Sequence, residues 1–345
     1  PHAADEEKVY TQALSNSDIN CLVILGPTAV GKTALAVRLA EYFGGEILSA
    51  DSRQVYRGLD IGSGKDLNEY TVPYHLIDIT DLSIEYSVFD YQSDFYKAFA
   101  AVRQNGKLPI LAGGTGLYLD AVIRGYDMKR VPENPALREK LAGLDMDELC
   151  ALLYELKKEA GTEAHNTTDT ENRTRLVRAI EIETYNAEHA QEKKHSTADK
   201  DTAALRSEVK PFIIGTTFPR DMLRSFIRKR LKARLDNGMI EEVENLHRCA
   251  PGLKKGASWE RLERLGLEYR FIADYLQGRI NSREELETKL GIAIGQFAKR
   301  QETWFRGMQK KGVDIHWLEH NGSREDCSVD RRFEKTLSLL NPLHT

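Results

Sequence analysis

The chain has 345 residues, 41% of them hydrophobic and 30% charged, with 49 lysines and arginines against 53 aspartates and glutamates. That usage is ordinary for a soluble globular protein of one elaborated domain or two, and it excludes a disordered or collagen-like chain. A formal charge of −4 excludes a uniformly basic nucleic-acid binder while leaving room for a local basic patch. Cys21, Cys150, Cys249 and Cys327 lie far apart with no paired spacing, so neither a disulfide framework nor a zinc finger is expected. Residues 1–20 are polar and no apolar run has the length of a membrane span, so a cytoplasmic protein with a flexible N-terminus is expected.

In chain order, the first apolar run, Cys21–Leu25, has the continuous character of a strand buried on both faces. It leads into Gly26-Pro27-Thr28-Ala29-Val30-Gly31-Lys32-Thr33, followed by a helical pattern over residues 34–43 that Gly44-Gly45 ends. Strand, glycine loop and helix are the context in which G-x-x-x-x-G-K-T works as a P-loop. Its backbone N–H groups close around a polyanion, Lys32 adds a charge toward the outer phosphates, and the Thr33 hydroxyl can ligate Mg²⁺. A nucleoside triphosphate is the default occupant, and a diphosphate ester of any alcohol fits the same geometry. Residues 46–50 read as a second strand that delivers Asp51 at its carboxyl end, where ligands of open α/β sheets bind. A carboxylate there can serve Mg²⁺ or act as a general base, and the spacing leaves both open.

Apolar runs at 75–79 and 108–112 read as further strands, with a helix over about 89–103 between them. Residues 134–185 carry three helical patterns and no strand, and residues 187–210 are charged, free of aromatics and read as a mobile surface connection. Residues 211–217 return to the sheet. One long helix over about 220–248 follows, then helices near 258–276 and 282–309 and a strand-like 313–318. The expected fold is therefore α/β, a P-loop NTPase-like parallel sheet flanked by helices over 21–133 and 211–345, with an all-helical insertion domain and connection over 134–210.

On the helix after Arg220, Leu223, Phe226, Ile227, Leu231 and Leu235 form an apolar stripe, and Arg230 and Arg234 fall inside it. An arginine so placed either meets an anion or snorkels to solvent, and Arg234 is expected to do the latter. Residues 220–234 also hold seven basic side chains and one acidic one, which suits a local polyanion contact or a solvated helix face. Trp304 and Phe305 read as core packing.

Several motifs in one order carry a resemblance: GPTAVGKT, then DSRQVYRGLDIGSGK from Asp51, then Ala112-Gly-Gly-Thr115-Gly-Leu-Tyr118. Arg175 and Arg178 before Ala179-Ile180-Glu181, GMIEEV, and Ala298-Lys-Arg-Gln-Glu-Thr-Trp-Phe-Arg306 complete the set. From Cys21 to about Arg306 the chain resembles the tRNA dimethylallyltransferases, or tRNA isopentenyltransferases. The resemblance implies transfer of a dimethylallyl group from dimethylallyl diphosphate to N6 of the adenine beside the anticodon, at position 37 of the tRNA. It implies a P-loop that holds the diphosphate through Gly26, Thr28, Ala29, Val30, Gly31, Lys32 and Thr33, with Mg²⁺ at Thr33. It makes Asp51 the base on the adenine amine, and Arg230 the arginine that neutralises the leaving diphosphate. Ser52, Arg53, Gln54 and Thr115 are implied to meet the extruded base and its RNA, and Arg138, Thr174, Arg175 and Arg178 the anticodon stem.

Two positions depart from the family pattern. Glu268-Tyr269 stands where the family has Gly-Tyr, and Phe226 replaces the first arginine of an Arg-Ile pair. The zinc finger of eukaryotic relatives is not seen, which fits the bacterial type, and a monomer is expected. Transfer to free adenine nucleotides is the near alternative, but it gives the helical insertion no purpose. A small-molecule kinase is the more distant one, and it leaves the Gly-Gly-Thr-Gly-Leu-Tyr motif unexplained.

Overall fold

In the computed structural model, which describes residues 18–126, 131–160, 172–189 and 208–340, strand β1 (Cys21–Leu25) is fully buried. Its neighbours explain the unbroken apolar run. Leu22 and Ile24 face a core shared with helix α1 (Lys32–Phe43), while Cys21, Val23 and Leu25 face the opposite core, built on Tyr91, Phe95 and Phe99 of α2 (Val88–Gln104). A strand covered on both faces has no polar side, so alternation is lost.

Strands β2 (Gly45–Ala50), β3 (Tyr74–His75), β4 (Leu108–Gly113), β5 (Pro211–Gly215) and β6 (His316–Trp317) complete a six-stranded sheet in the order β3-β2-β4-β1-β5-β6. Every pairing is parallel, with Leu22 opposite Ile110 on one side of β1 and Phe212 on the other. The chain leaves β1 toward β2 and leaves β4 toward β5, in opposite directions across the sheet. Such a reversal opens a crevice beyond the carboxyl ends of the two central strands.

Several helices differ from the sequence reading. The stretch read as one helix over 220–248 is two, α7 (Arg220–Asp236) and α8 (Met239–Arg248), because Gly238 takes a φ of 94° and turns the chain. Helices α9 (Trp259–Leu265) and α10 (Leu267–Leu276) meet at Gly266, and α11 (Arg283–Lys310) is capped by Ser282. Two further helices, α3 (Gly116–Ile123) and α12 (Val329–Leu340), were not foreseen.

Three strands are shorter than read, β5 by the last two residues of 211–217. The run at 75–79 stops at His75 because Leu76 and Asp78 have φ values of 66° and 55°, outside the extended region. Asp78 instead turns its carboxylate onto Lys65, which is buried and also bonds Asp60 Oδ1 at 2.7 Å. Of 313–318, only His316–Trp317 is strand.

The chain divides into two compact units, residues 1–126 with 204–345, and residues 127–203. In the second, α4 (Pro135–Leu141), α5 (Met146–Glu159) and α6 (Arg173–Glu188) close on Leu141, Leu149, Leu153, Leu176 and Ile180. Residues 131–133 belong with these helices, not with the sheet as read, since the Arg178 guanidinium donates to the Val131 carbonyl at 2.7 Å. The expected flexible N-terminus lies outside the described residues but for 18–20, and so does most of the expected connection at 187–210. Among the described residues no helix is long and apolar enough to cross a membrane.

Candidate active site

The loop after β1 and the ends of β2 and β4 wall a cavity of about 460 Å³ that also takes in the inner faces of α7 and α11. Ala29 holds a left-handed φ of 65°, a conformation that costs a non-glycine residue on the order of 1 kcal/mol and persists only where neighbours enforce it. Three side chains from distant elements do so. Gln301 of α11 accepts from the Thr28 N–H at 2.8 Å and donates to the Gly114 carbonyl at 2.7 Å. Arg332 of α12 lies behind the loop and donates to the Val30 carbonyl at 2.6 Å. From the front, Arg230 of α7 donates to the Thr28 hydroxyl.

Lys32 donates to the Pro27 carbonyl at 2.8 Å. Burial, then the positive charge of Arg230, pulls its ammonium down to about 7, while Asp51 works the other way. Burial and the neighbouring Arg234 likewise hold Arg230 down to about 10. Thr33 faces the same cavity and pairs with the Tyr70 hydroxyl, which burial pushes up to about 12. Lys32, Arg53, Lys229, Arg230 and Arg234 line the cavity together with the carboxylates of Asp51, Asp66, Glu69 and Glu268.

Asp51 caps its own turn. Its Oδ1 accepts from the Arg53 N–H at 2.9 Å, which fixes the carboxylate at the mouth of the strand. The Ser52 N–H donates to the Thr115 hydroxyl at 3.0 Å, stitching the end of β2 to the end of β4. Arg53 donates to the Leu265 carbonyl at 2.5 Å, and its Nε is buried without a hydrogen-bond partner among the described residues. Gln54 is buried, bonded to the Ser49 hydroxyl at 2.8 Å and to the Gly64 carbonyl at 3.0 Å. Asp51, Arg53, Gln54 and Thr115 therefore share one cavity with Thr28, Ala29, Gly31, Lys32 and Thr33 of the P-loop, whereas Gly26, Val30 and Ser52 are not among its lining residues.

Other expectations are corrected. Arg234 does not snorkel: its side chain is 12% exposed and lines the cavity. Arg220, Arg224, Arg228, Lys229 and Lys232 are the exposed basic residues of α7. Phe305 is core, but Trp304 is 39% exposed and lies against Gly116. Glu268 is buried in the cavity wall, where its charge favours the cationic form of Arg230. Glu242, in the GMIEEV motif, accepts from the backbone N–H groups of Asp60, Ile61 and Gly62, and so anchors the loop after Asp51.

A family model described as IPP transferase matches residues 54–308. A tRNA dimethylallyltransferase 2 of Treponema denticola is 55% identical over 300 residues, covering 87% of this chain and 95% of that protein. The chain belongs to the IPP transferase family. A second family member, tRNA dimethylallyltransferase 2 of Syntrophotalea carbinolica, is 51% identical over 88% of this chain and 95% of its own. Among solved structures, the tRNA isopentenylpyrophosphate transferase of Bacillus halodurans superposes with a TM-score of 0.61 at 30% identity, covering 94% of this chain and 97% of that one.

In the second unit of this family member, Arg138 and Arg178 converge on Glu181, whose side chain is fully buried. Arg138 is bidentate, through Nε at 2.8 Å and Nη2 at 3.0 Å. Burial works against the Glu181 carboxylate, yet these guanidiniums hold it below its ordinary value. Both arginines remain more than a third exposed. Arg173 is taken up by the carbonyls of Leu141, Ala142 and Leu144. Thr174 and Arg175 are exposed, and among the described residues the Arg175 side chain has no partner.

Gln301 and Arg332 were missed. Gln301 lay in a motif already quoted, without a role. Arg332 had one available signal, an arginine beside Phe333 on the buried stripe of an amphipathic helix.

Proposed function

We propose that the protein transfers the dimethylallyl group of dimethylallyl diphosphate to N6 of the adenine at position 37 of tRNA, releasing diphosphate. The observation that carries this is the single cavity joining a P-loop, the Asp51 carboxylate and Arg230. The P-loop amides, Lys32 and Arg230 bind the diphosphate and set the allylic carbon toward Asp51. The exocyclic amine is a poor nucleophile because its lone pair is conjugated into the ring. As the new C–N bond forms and the C–O bond to diphosphate breaks, the carboxylate of Asp51 takes the N6 proton. Arg230 and Lys32 stabilise the negative charge that gathers on the leaving diphosphate.

The donor set fits Mg²⁺. The Thr33 hydroxyl lines the cavity and is a hard oxygen donor, while among the described residues no three His, Cys, Asp or Glu side chains converge to hold a metal unaided, which suits an ion completed by phosphate oxygens. Thr33 would hold the ion with phosphate oxygens, and the ion's charge would offset that of the diphosphate.

The adenine would leave its stack to reach Asp51, and contact with Arg53 and Gln54 is supported by their place in the lining of the same cavity and by an Arg53 Nε that is buried without a hydrogen-bond partner among the described residues. Thr174, Arg175, Arg138 and Arg178 support a grip on the anticodon stem by the second unit.

The test is transfer of labelled dimethylallyl groups with unmodified tRNA, AMP and ATP offered separately. Label should enter tRNA alone, and Asp51→Ala should lower turnover about a hundredfold or more while tRNA binding stays within about twofold. Label in a nucleotide would replace the tRNA reading, and undiminished turnover in the variant would remove Asp51 from the base role.

A further inference from the structure

The helix that carries Arg230 carries a second arginine, one turn on, that the proposed reaction does not use. Arg234 faces the same cavity, although most of the other cations of α7 reach water. Its guanidinium lies against Gly64, where a Cβ would come within 1.8 Å of Nη2 and the backbone φ is 68°. A glycine at that position is what gives the guanidinium its place.

Once there, the group is poorly satisfied. A guanidinium presents five N–H donors in a planar fork. Arg234 has one ion-pair partner among the described residues, Asp66, at 3.6 Å, which is too long for a charge-assisted hydrogen bond. Its side chain is also only 12% exposed, so water serves it little. Arginines on successive turns of one helix face repel each other as well. The arrangement is unfavourable by itself and becomes favourable around a polyanion.

We infer that Arg234 is a second diphosphate-binding residue, forming with Arg230 a two-pronged clamp that faces the P-loop. The inference rests on the diphosphate reading above. Arg230 reaches the loop through Thr28, and Arg234 approaches from the Gly64 side, so the anion is gripped from two directions. Asp66, Glu69 and Glu268 line the same cavity, and the clamp keeps that wall attractive to an anion in spite of them. Repulsion from Arg234 also contributes to the lowered affinity of Arg230 for its proton, which a bound anion would relieve.

The experiment is titration calorimetry of the full chain with inorganic pyrophosphate, comparing wild type with Arg234→Ala, Arg234→Lys and Asp66→Asn. Losing a charge-assisted hydrogen bond should weaken binding about tenfold or more in Arg234→Ala. Arg234→Lys keeps the charge without the fork and should lose less; it carries the test if the alanine variant does not fold. Asp66→Asn removes a competing carboxylate and should bind at least as tightly as wild type. Wild-type affinity in both Arg234 variants overturns the inference alone. So does a loss in Asp66→Asn equal to that in Arg234→Ala, since the guanidinium would then serve the loop at 60–66. If wild type binds no pyrophosphate, the diphosphate reading falls and the inference with it.

Discussion

At the scale of single residues, the site is built from side chains held in protonation states that only a ligand makes comfortable. Lys32 is the clearest case: burial and Arg230 bring its ammonium down to about 7, so near neutrality the free protein holds it partly uncharged. A diphosphate binds the charged form and raises that value again. The sign follows from linkage. Below about pH 7 the ammonium is already present and binding takes up no proton, whereas above it each binding event draws a proton from solution. Affinity for dimethylallyl diphosphate should therefore fall between about pH 7 and pH 9, approaching tenfold per unit at the upper end. Lys32→Arg, charged throughout, should flatten the profile even if it binds less well. Calorimetry at about pH 8.5 in two buffers of different ionisation enthalpy counts the proton directly. An affinity that stays flat in wild type would mean that Lys32 is charged across the whole range.

At the scale of elements, the P-loop keeps its shape because helices from the far end of the chain hold it. Arg332 is 4% exposed and donates to the Val30 carbonyl across 302 residues of sequence. Arg332→Ala would leave the loop carbonyls buried without a donor, at a cost of about 1–3 kcal/mol each. A drop in melting temperature together with a raised KM for the diphosphate substrate is expected, and a melting temperature equal to wild type would show the bond to be dispensable. This dependence also marks the limit of what the sequence discloses. The strand, loop and helix from Cys21 to Phe43 were legible because local pattern and motif agree, and Asp51 was legible because the sheet rule fixes where a strand end points. Gln301 was not, since its partners lie hundreds of residues away, and Arg332 had only its place on the apolar stripe of its helix, which does not say what it meets. The break at Gly238 and the early end of β3 turned on single backbone angles, to which apolar patterning is blind. Arg234 failed for a different reason: the space it occupies is made by Gly64, on another element.

At the scale of the whole molecule, a chain of net charge −4 has to bind a polyanion through local surfaces alone. Its cations differ in how free they are to do so. Arg173 is spent on the carbonyls that end α4, and Arg138 and Arg178 share the buried Glu181. Arg175, exposed on the first turn of α6 and without a side-chain partner among the described residues, is the arginine of this set with its full charge available. Each phosphate contact contributes roughly 0.7–0.9 to the slope of log K against log salt concentration. Arg175→Ala should accordingly lower the slope for tRNA binding by about one contact, with no change in melting temperature. Arg173→Ala should do the reverse, loosening the second unit by about 1–3 kcal/mol while leaving the slope nearly intact. Filter binding across a salt series, paired with thermal melting, separates the two. Equal slopes for Arg175→Ala and wild type would move the RNA contact elsewhere, and the exposed Arg220, Arg224 and Arg228 of α7 would be the next residues to replace.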